Sequence, residues 1–319
     1  MRLLNKVFLL AILIAAISCE DIVEEDISDE NALTISPSNG QEVYSNAVNF
    51  QWNGIDGADD YRIQVFSDNQ FMLLDSLVSQ TSFIYPLDPG NYQWRVRGEN
   101  SAYETEYTFP VSFSVFENTD LSNQIVFLSN PSSGIYINNG VMTFVWEELS
   151  AATSYDLRIV NVTTGQSVVY SENDINTNSF SIEADILNGI NAAYEWQVRA
   201  KNATSQTAFS GRGFSLDSTV PNQPQNLTPG NNTSFTFPAT VDFTWTVPTD
   251  SGVIQSPLSY VLEFSNDSVF SSVIQSVSTT TNSSQYVFTI AGDYYWRIKA
   301  IDGAGNSGLY STPTKITIN

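Results

Sequence analysis

Four landmarks recur in the same order three times along this chain, and that repetition limits the folds open to it more than any other feature. The first is a proline in a turn, in PSNG (Pro37), PSSG (Pro131) and PGNN (Pro229). An alternating apolar segment ending in tryptophan follows: VNFQW at 48–52, MTFVW at 142–146 and VDFTW at 241–245. Next come tyrosine-led segments, YRIQV from 61, YDLRI from 155 and YVLEF from 260. The last and best-matched set is YQWRVRG from 92, YEWQVRA from 194 and YYWRIKA from 294. Trp52 lies 94 residues before Trp146, which lies 99 before Trp245. The Trp-to-Tyr gap is nine residues in the first two copies and fifteen in the third, where PTDSGVIQSPLS supplies turn formers that read as a longer loop.

Period-two alternation within short runs separated by turn residues predicts all-β units of about seven strands each. In VNFQW, Val48, Phe50 and Trp52 share one face; in YQWRVRG, Tyr92, Trp94 and Val96 do, with Gln93, Arg95 and Arg97 on the other. Two sheets packed through the apolar rows make a sandwich. Repeats of this length suffice for one core each, so the expected domains are 32–117, 121–217 and 221–319, with NTDLSNQ (118–124) and STVPNQP (218–224) as linkers.

A Trp on the second strand, a Tyr opening the third and a Tyr-x-apolar-x-apolar sixth strand resemble the fibronectin type III fold, in the bacterial variant with Trp in the sixth strand. AIDGAGNSG (300–308) is similar to the turn between the sixth and seventh strands of bacterial extracellular β-sandwiches. The resemblance covers roughly residues 32 to 319 and implies three tandem seven-stranded sandwiches. The immunoglobulin class is second, because its inter-sheet disulfide needs two cysteines and this chain has one. The fold implies no single function, since it serves as spacer, adhesion module and binding module alike.

The lone cysteine sits before the repeats. Residues 1–18 carry Arg2 and Lys6 and then VFLLAILIAAIS, the form of a secretory signal, shorter than the roughly 20 apolar residues of a spanning helix. Ala16-Ile17-Ser18-Cys19 resembles the bacterial lipobox, which implies acylation of the Cys19 thiol and cleavage before it. An ordinary signal peptide with a stray Cys is the alternative. Cleavage removes Arg2 and Lys6 and takes the formal charge from −22 to −24, which argues against nucleic acid and leaves lipid to hold the chain to a membrane. Residues 19–31 are crowded with acid, Glu20, Asp21, Glu24, Glu25, Asp26, Asp29 and Glu30. They read as a disordered tether and resemble an acidic export signal that sends lipoproteins to the outer face of the outer membrane.

The chain has no His, the commonest general base and transition-metal ligand. The carboxylate neighbours Asp59–Asp60 and Glu147–Glu148 mostly point apart in strands or turns, which does not suit a glycosidase pair. SDNQF (67–71), SNDSVF (265–270) and Asp302 in IDGAGN lack the D-x-D-x-D-G spacing of a dedicated calcium loop and read as turns. No catalytic residue, metal ligand or cofactor is therefore assigned.

For binding, all six Trp occupy repeated inward positions, which leaves none as a sugar platform. Tyr103 and Tyr107, in ENSAYETEYTF, are the candidate exposed aromatic pair for binding. Arg95 and Arg97, with Arg199, Lys201, Arg297 and Lys299, place six of the ten basic residues after position 18 on the outer face of the sixth strand. This ladder is either paired by acids on neighbouring strands, the preferred reading, or a site for a carboxylated partner. The expectation is a non-enzymatic lipoprotein of the bacterial cell envelope, on the outer membrane and surface-exposed. It would present tandem sandwiches to a protein or glycan or act as a spacer. The alternative is a glycan-capturing lipoprotein of a polysaccharide-uptake system.

Overall fold

The computed structural model describes residues 24–187 and 189–319. The signal segment 1–18 and Cys19 lie outside the described residues. The chain divides into two compact units, Met1–Thr119 and Asp120–Asn319.

The first unit holds one sandwich. Its strands are β1 (Thr34–Ser36), β2 (Gln41–Val43), β3 (Ala47–Trp52), β4 (Asp60–Ser67), β5 (Met72–Val78), β6 (Ser82–Pro86), β7 (Gly90–Glu99) and β8 (Val111–Val115). They form a three-stranded sheet β1-β3-β6 and a five-stranded sheet β2-β8-β7-β4-β5. The predicted seven strands become eight because the first is divided. Pro37 follows β1 and has no N–H for a ladder, so pairing stops there and the chain crosses to the other sheet, where β2 runs parallel to β8.

The second unit holds two sandwiches built the same way. One comprises β9 (Leu128–Asn130), β10 (Ile135–Ile137), β11 (Val141–Trp146), β12 (Ser154–Asn161), β13 (Ser167–Ile175), β14 (Ser179–Glu183), β15 (Ala192–Lys201) and β16 (Ser210–Leu216). The other comprises β17 (Asn226–Thr228), β18 (Thr233–Phe235), β19 (Ala239–Trp245), β20 (Ser259–Ser265), β21 (Gln275–Thr279), β22 (Ser283–Phe288), β23 (Gly292–Ile301) and β24 (Thr314–Ile318). Their sheets, β14-β11-β9 with β10-β16-β15-β12-β13, and β17-β19-β22 with β18-β24-β23-β20-β21, repeat the first arrangement. Pro131 and Pro229 stand at the same crossings.

The inward rows meet as the alternation requires. Trp52, Trp94, Trp146, Trp196, Trp245 and Trp296 are all fully buried, and the rings of Trp52 and Trp94 are 6.3 Å apart between the sheets. The Tyr that opens each long strand is pinned to the turn before it: Tyr92 donates its hydroxyl to the Asp88 carbonyl at 2.7 Å, Tyr194 to Ile190 at 2.7 Å and Tyr294 to Ile290 at 2.9 Å. This is a tyrosine corner, present in every copy.

The acidic segment departs from the expected tether. Within residues 24–31, Ile27 is fully buried in the first core, the Asn100 amide donates to the Glu25 carbonyl at 2.8 Å, and Ser101 Oγ donates to Glu24 at 2.7 Å. One isoleucine among the acids gives the segment an apolar anchor that its charge concealed.

Candidate functional site

The cationic ladder lies on the five-stranded sheet of each sandwich and is closed from both sides. In the first, Arg95 Nε donates to Gln64 at 2.8 Å, and Arg97 pairs with Glu99 at 2.8 Å and also with Glu104. Glu99 in turn pairs with Arg62 at 2.7 Å. The Tyr107 ring lies over both guanidinium groups, 4.2 Å from Arg95 and 4.8 Å from Arg97. Tyr103 takes no part in this stack. Its backbone N–H donates to Asn100 Oδ1 at 2.8 Å, at the turn after β7, and the residue is 38% exposed. The two tyrosines expected to act together therefore do different work.

The second unit repeats the lid with its own residues. Phe209 lies 3.9 Å from the Arg158 guanidinium and 4.8 Å from that of Arg199. Tyr310 lies 3.8 Å from Arg297 and 5.0 Å from Lys299. Beneath them, Asp156 joins Arg199 and Lys201, and Glu263 joins Arg297. Burial alone pushes Asp156 up, but hydrogen bonds from Lys201, the Asp174 amide and Arg199 outweigh it and hold the carboxyl below its usual range. Burial, with the hydrogen bond to Glu263, pushes Tyr310 up to about 12. The sequence carried a signal for these lids: Tyr107 and Phe209 each stand thirteen residues after the sixth-strand Trp and Tyr310 fourteen.

A second cluster, to which no reading of the sequence assigned a ligand role, sits where the second sandwich runs into the third. One carboxylate oxygen from each of Asp217, Asp250 and Asp302 lies within 4.8 Å of the other two, and the residues are 0%, 7% and 4% exposed. Asp217 follows β16, Asp250 is in the loop after β19, and Asp302 follows β23. Asp217 Oδ1 accepts from the Thr219 amide at 3.0 Å and Asp250 Oδ2 from the Ser256 amide at 2.8 Å. Asp302 Oδ1 accepts from the amides of Ala304 and Asn306 at 3.0 and 2.8 Å, and its Oδ2 from Asn306 Nδ2 at 2.8 Å. Asp217 Oδ2 and Asp250 Oδ1 are buried without a donor, and no ion pair among the described residues includes any of the three acids. Burial first, and then the charges of Asp250 and Asp302, raise the Asp217 carboxyl above its usual value. Asp302 does form the turn expected of it, but in company that lies 85 and 52 residues away in sequence.

No protein-family model matches the chain, and no curated protein does. Among solved structures it is similar to the FN1–FN3 domains of chicken CNTN1, at 16% identity over 88% of this chain and 96% of that one, with a TM-score of 0.42. It is also similar to the fibronectin(III)-like modules of Clostridium thermocellum CbhA (11% identity, 58% of this chain, 94% of that one, TM-score 0.23). A two-domain fibronectin type III segment of chicken tenascin gives 14% identity over 58% of this chain and 97% of that one, with a TM-score of 0.22. Within the chain itself, the strand after the Tyr-led one pairs with that strand, as β5 does with β4, and not with β6. Three such sandwiches in tandem, each with its tyrosine corner, make this an all-β chain of fibronectin type III-like domains.

Proposed function

We propose that the protein is a non-catalytic lipoprotein of the bacterial cell envelope, held to the outer membrane through Cys19 and exposed at the surface, where its three sandwiches act as a spacer that presents a binding surface. The observation that supports this reading most is the consumption of every repeated polar or aromatic feature by the architecture. The six Trp are in the cores; Arg97, Arg199 and Arg297 each lie against an acid and under an aromatic ring. Arg95 lies against Gln64 and under Tyr107, Lys201 lies against Asp156 and Lys299 under Tyr310. Contact with a partner then falls to side chains outside the repeat, such as Phe71 and Phe109, which are 70% and 92% exposed. Capture of a glycan is the weaker reading, because the Tyr107 ring is already occupied by Arg95 and Arg97.

Two measurements test it. Intact mass of the detergent-extracted protein is expected to show residues 19–319 carrying diacylglycerol on the Cys19 sulfur as a thioether, and Cys19→Ser is expected to remove the protein from the membrane fraction or leave it unprocessed. Unmodified Cys19 in a soluble periplasmic protein would overturn the anchor. A glycan array is expected to be silent, and reproducible binding to one polysaccharide would replace the spacer reading with glycan capture.

A further inference from the structure

The three buried acids at the joint have a specific physical problem. Three carboxylates taken out of water with no counter-charge are costly, and the usual remedy is a partner cation or a bound metal. The two oxygens without a donor, on Asp217 and Asp250, are the unmet part of this cluster.

The other two domains show that the turn does not need the charge. Asn100 and Asn202 stand where Asp302 stands, directly after the sixth strand. Asn100 Oδ1 accepts from the amides of Ala102 and Tyr103 at 3.1 and 2.8 Å, and Asn202 Oδ1 from those of Thr204 and Ser205 at 3.0 and 2.9 Å. Their side-chain amides also donate to the neighbouring loop, Asn100 to the Gly57 carbonyl at 2.9 Å and Asn202 to the Ala151 carbonyl at 3.1 Å. In the third domain the donor amide is replaced by an acceptor-only carboxylate, and the facing loop, lengthened there alone, delivers Asp250. Acceptors face acceptors at the place where the other copies have a donor.

The geometry points to a divalent-cation site of the Ca²⁺ class formed by Asp217, Asp250 and Asp302, bridging the second and third sandwiches. All the ligand atoms are hard oxygens, and their mutual separation suits a cation that takes oxygens at roughly 2.3–2.6 Å in flexible geometry. Mg²⁺ asks for near-ideal octahedral geometry and keeps several waters, which three carboxylates from three separate segments serve less well. The segment after Asp217 is already tied on both sides: Asn191 Nδ2 donates to Thr219 Oγ1 at 2.9 Å, and Asn306 Nδ2 to the Asp217 carbonyl at 2.8 Å. A cation there would lock the joint through charge as well.

The test uses the full-length protein in detergent, stripped with EDTA, and CaCl₂ as the probe. Equilibrium dialysis is expected to find one Ca²⁺ bound at this joint, with a dissociation constant near about 10⁻⁴ M, as in extracellular modules. At about 100-fold that concentration the 120–319 unit is expected to melt roughly 5–10 °C higher than in EDTA. Asp302→Asn restores the residue of the other two domains and is expected to fold, to lose that shift, and to melt in EDTA no lower than the unaltered protein. Asp250→Asn is expected to behave alike. Two results would each overturn the site: a melting temperature identical in CaCl₂ and EDTA, with Asp302→Asn melting higher in both, which would mean that the acids share a proton; or a calcium shift that survives both substitutions.

Discussion

Asp156 and Arg199 stand directly opposite each other on β12 and β15, with Arg199 Nη2 2.9 Å from Asp156 Oδ2. Lys201 reaches the other oxygen of the same carboxylate at 2.6 Å. Asp156 is 3% exposed, and its partners' side chains are 29% and 23% exposed. Truncation to Ala would leave Arg199 without its Asp156 partner and Lys201 with the exposed Asp174 alone, at 2.8 Å, so Asp156→Ala is expected to cost the second sandwich about 1–3 kcal/mol, read by urea denaturation. The acid dependence has a definite sign. Because the folded carboxyl titrates below its unfolded value, its contribution is present above about pH 4 and is lost as the pH falls through the folded value. Between about pH 5 and 3 the unaltered protein should lose stability more steeply than Asp156→Asn.

Trp94 carries both core area and a hydrogen bond, from Nε1 to the Pro37 carbonyl at 3.0 Å. Trp94→Ala is expected to destabilise the first sandwich by roughly 3–5 kcal/mol, seen as an early loss in calorimetry. An unchanged melting temperature would show that the ring is not a core member.

The lid over the ladder is testable as a coupling. With the Arg158 guanidinium 3.9 Å from the Phe209 ring, a double-mutant cycle of Phe209→Leu and Arg158→Met is expected to give a coupling of about 0.5–1 kcal/mol. Additive single effects would mean that the ring merely covers the strand.

Ile27 gives the acidic segment a structural duty. Ile27→Ala is expected to cost the first sandwich roughly 2–4 kcal/mol. Replacing Asp29 and Glu30, both exposed, is expected to move stability by no more than about 0.5 kcal/mol; denaturant midpoints for the two variants separate these effects.

Much of this architecture was legible because strands write their burial in the sequence with period two. Val48-Phe50-Trp52 and Tyr92-Trp94-Val96 name the inward faces by their alternation alone. Features that depend on distant residues meeting were harder to read. Ile27 was masked by the acids around it, and a windowed view of charge does not detect one buried side chain. The division of the first strand turned on which sheet accepts the chain after Pro37, a tertiary choice. Tyr107 was visible only as half of an exposed aromatic pair with Tyr103, because its stacking on Arg95 depends on how the segment between β7 and β8 returns over the sheet. Asp302 looked like an ordinary turn acid, nothing in the sequence singled out Asp217 or Asp250, and only the joint brings the three together.

The division of the first strand at Pro37, Pro131 and Pro229 has a mechanical consequence. In each sandwich the short second half of that strand runs parallel to the last strand, β2 with β8, β10 with β16 and β18 with β24. Tension applied to the two ends of a domain pulls such a pair in opposite directions along their common axis. The bridging hydrogen bonds are then loaded in shear and must fail together, whereas a hairpin opened from one end would release them one after another. Each domain thereby carries a clasp between its entry and its exit, suited to a chain that is pulled from both ends.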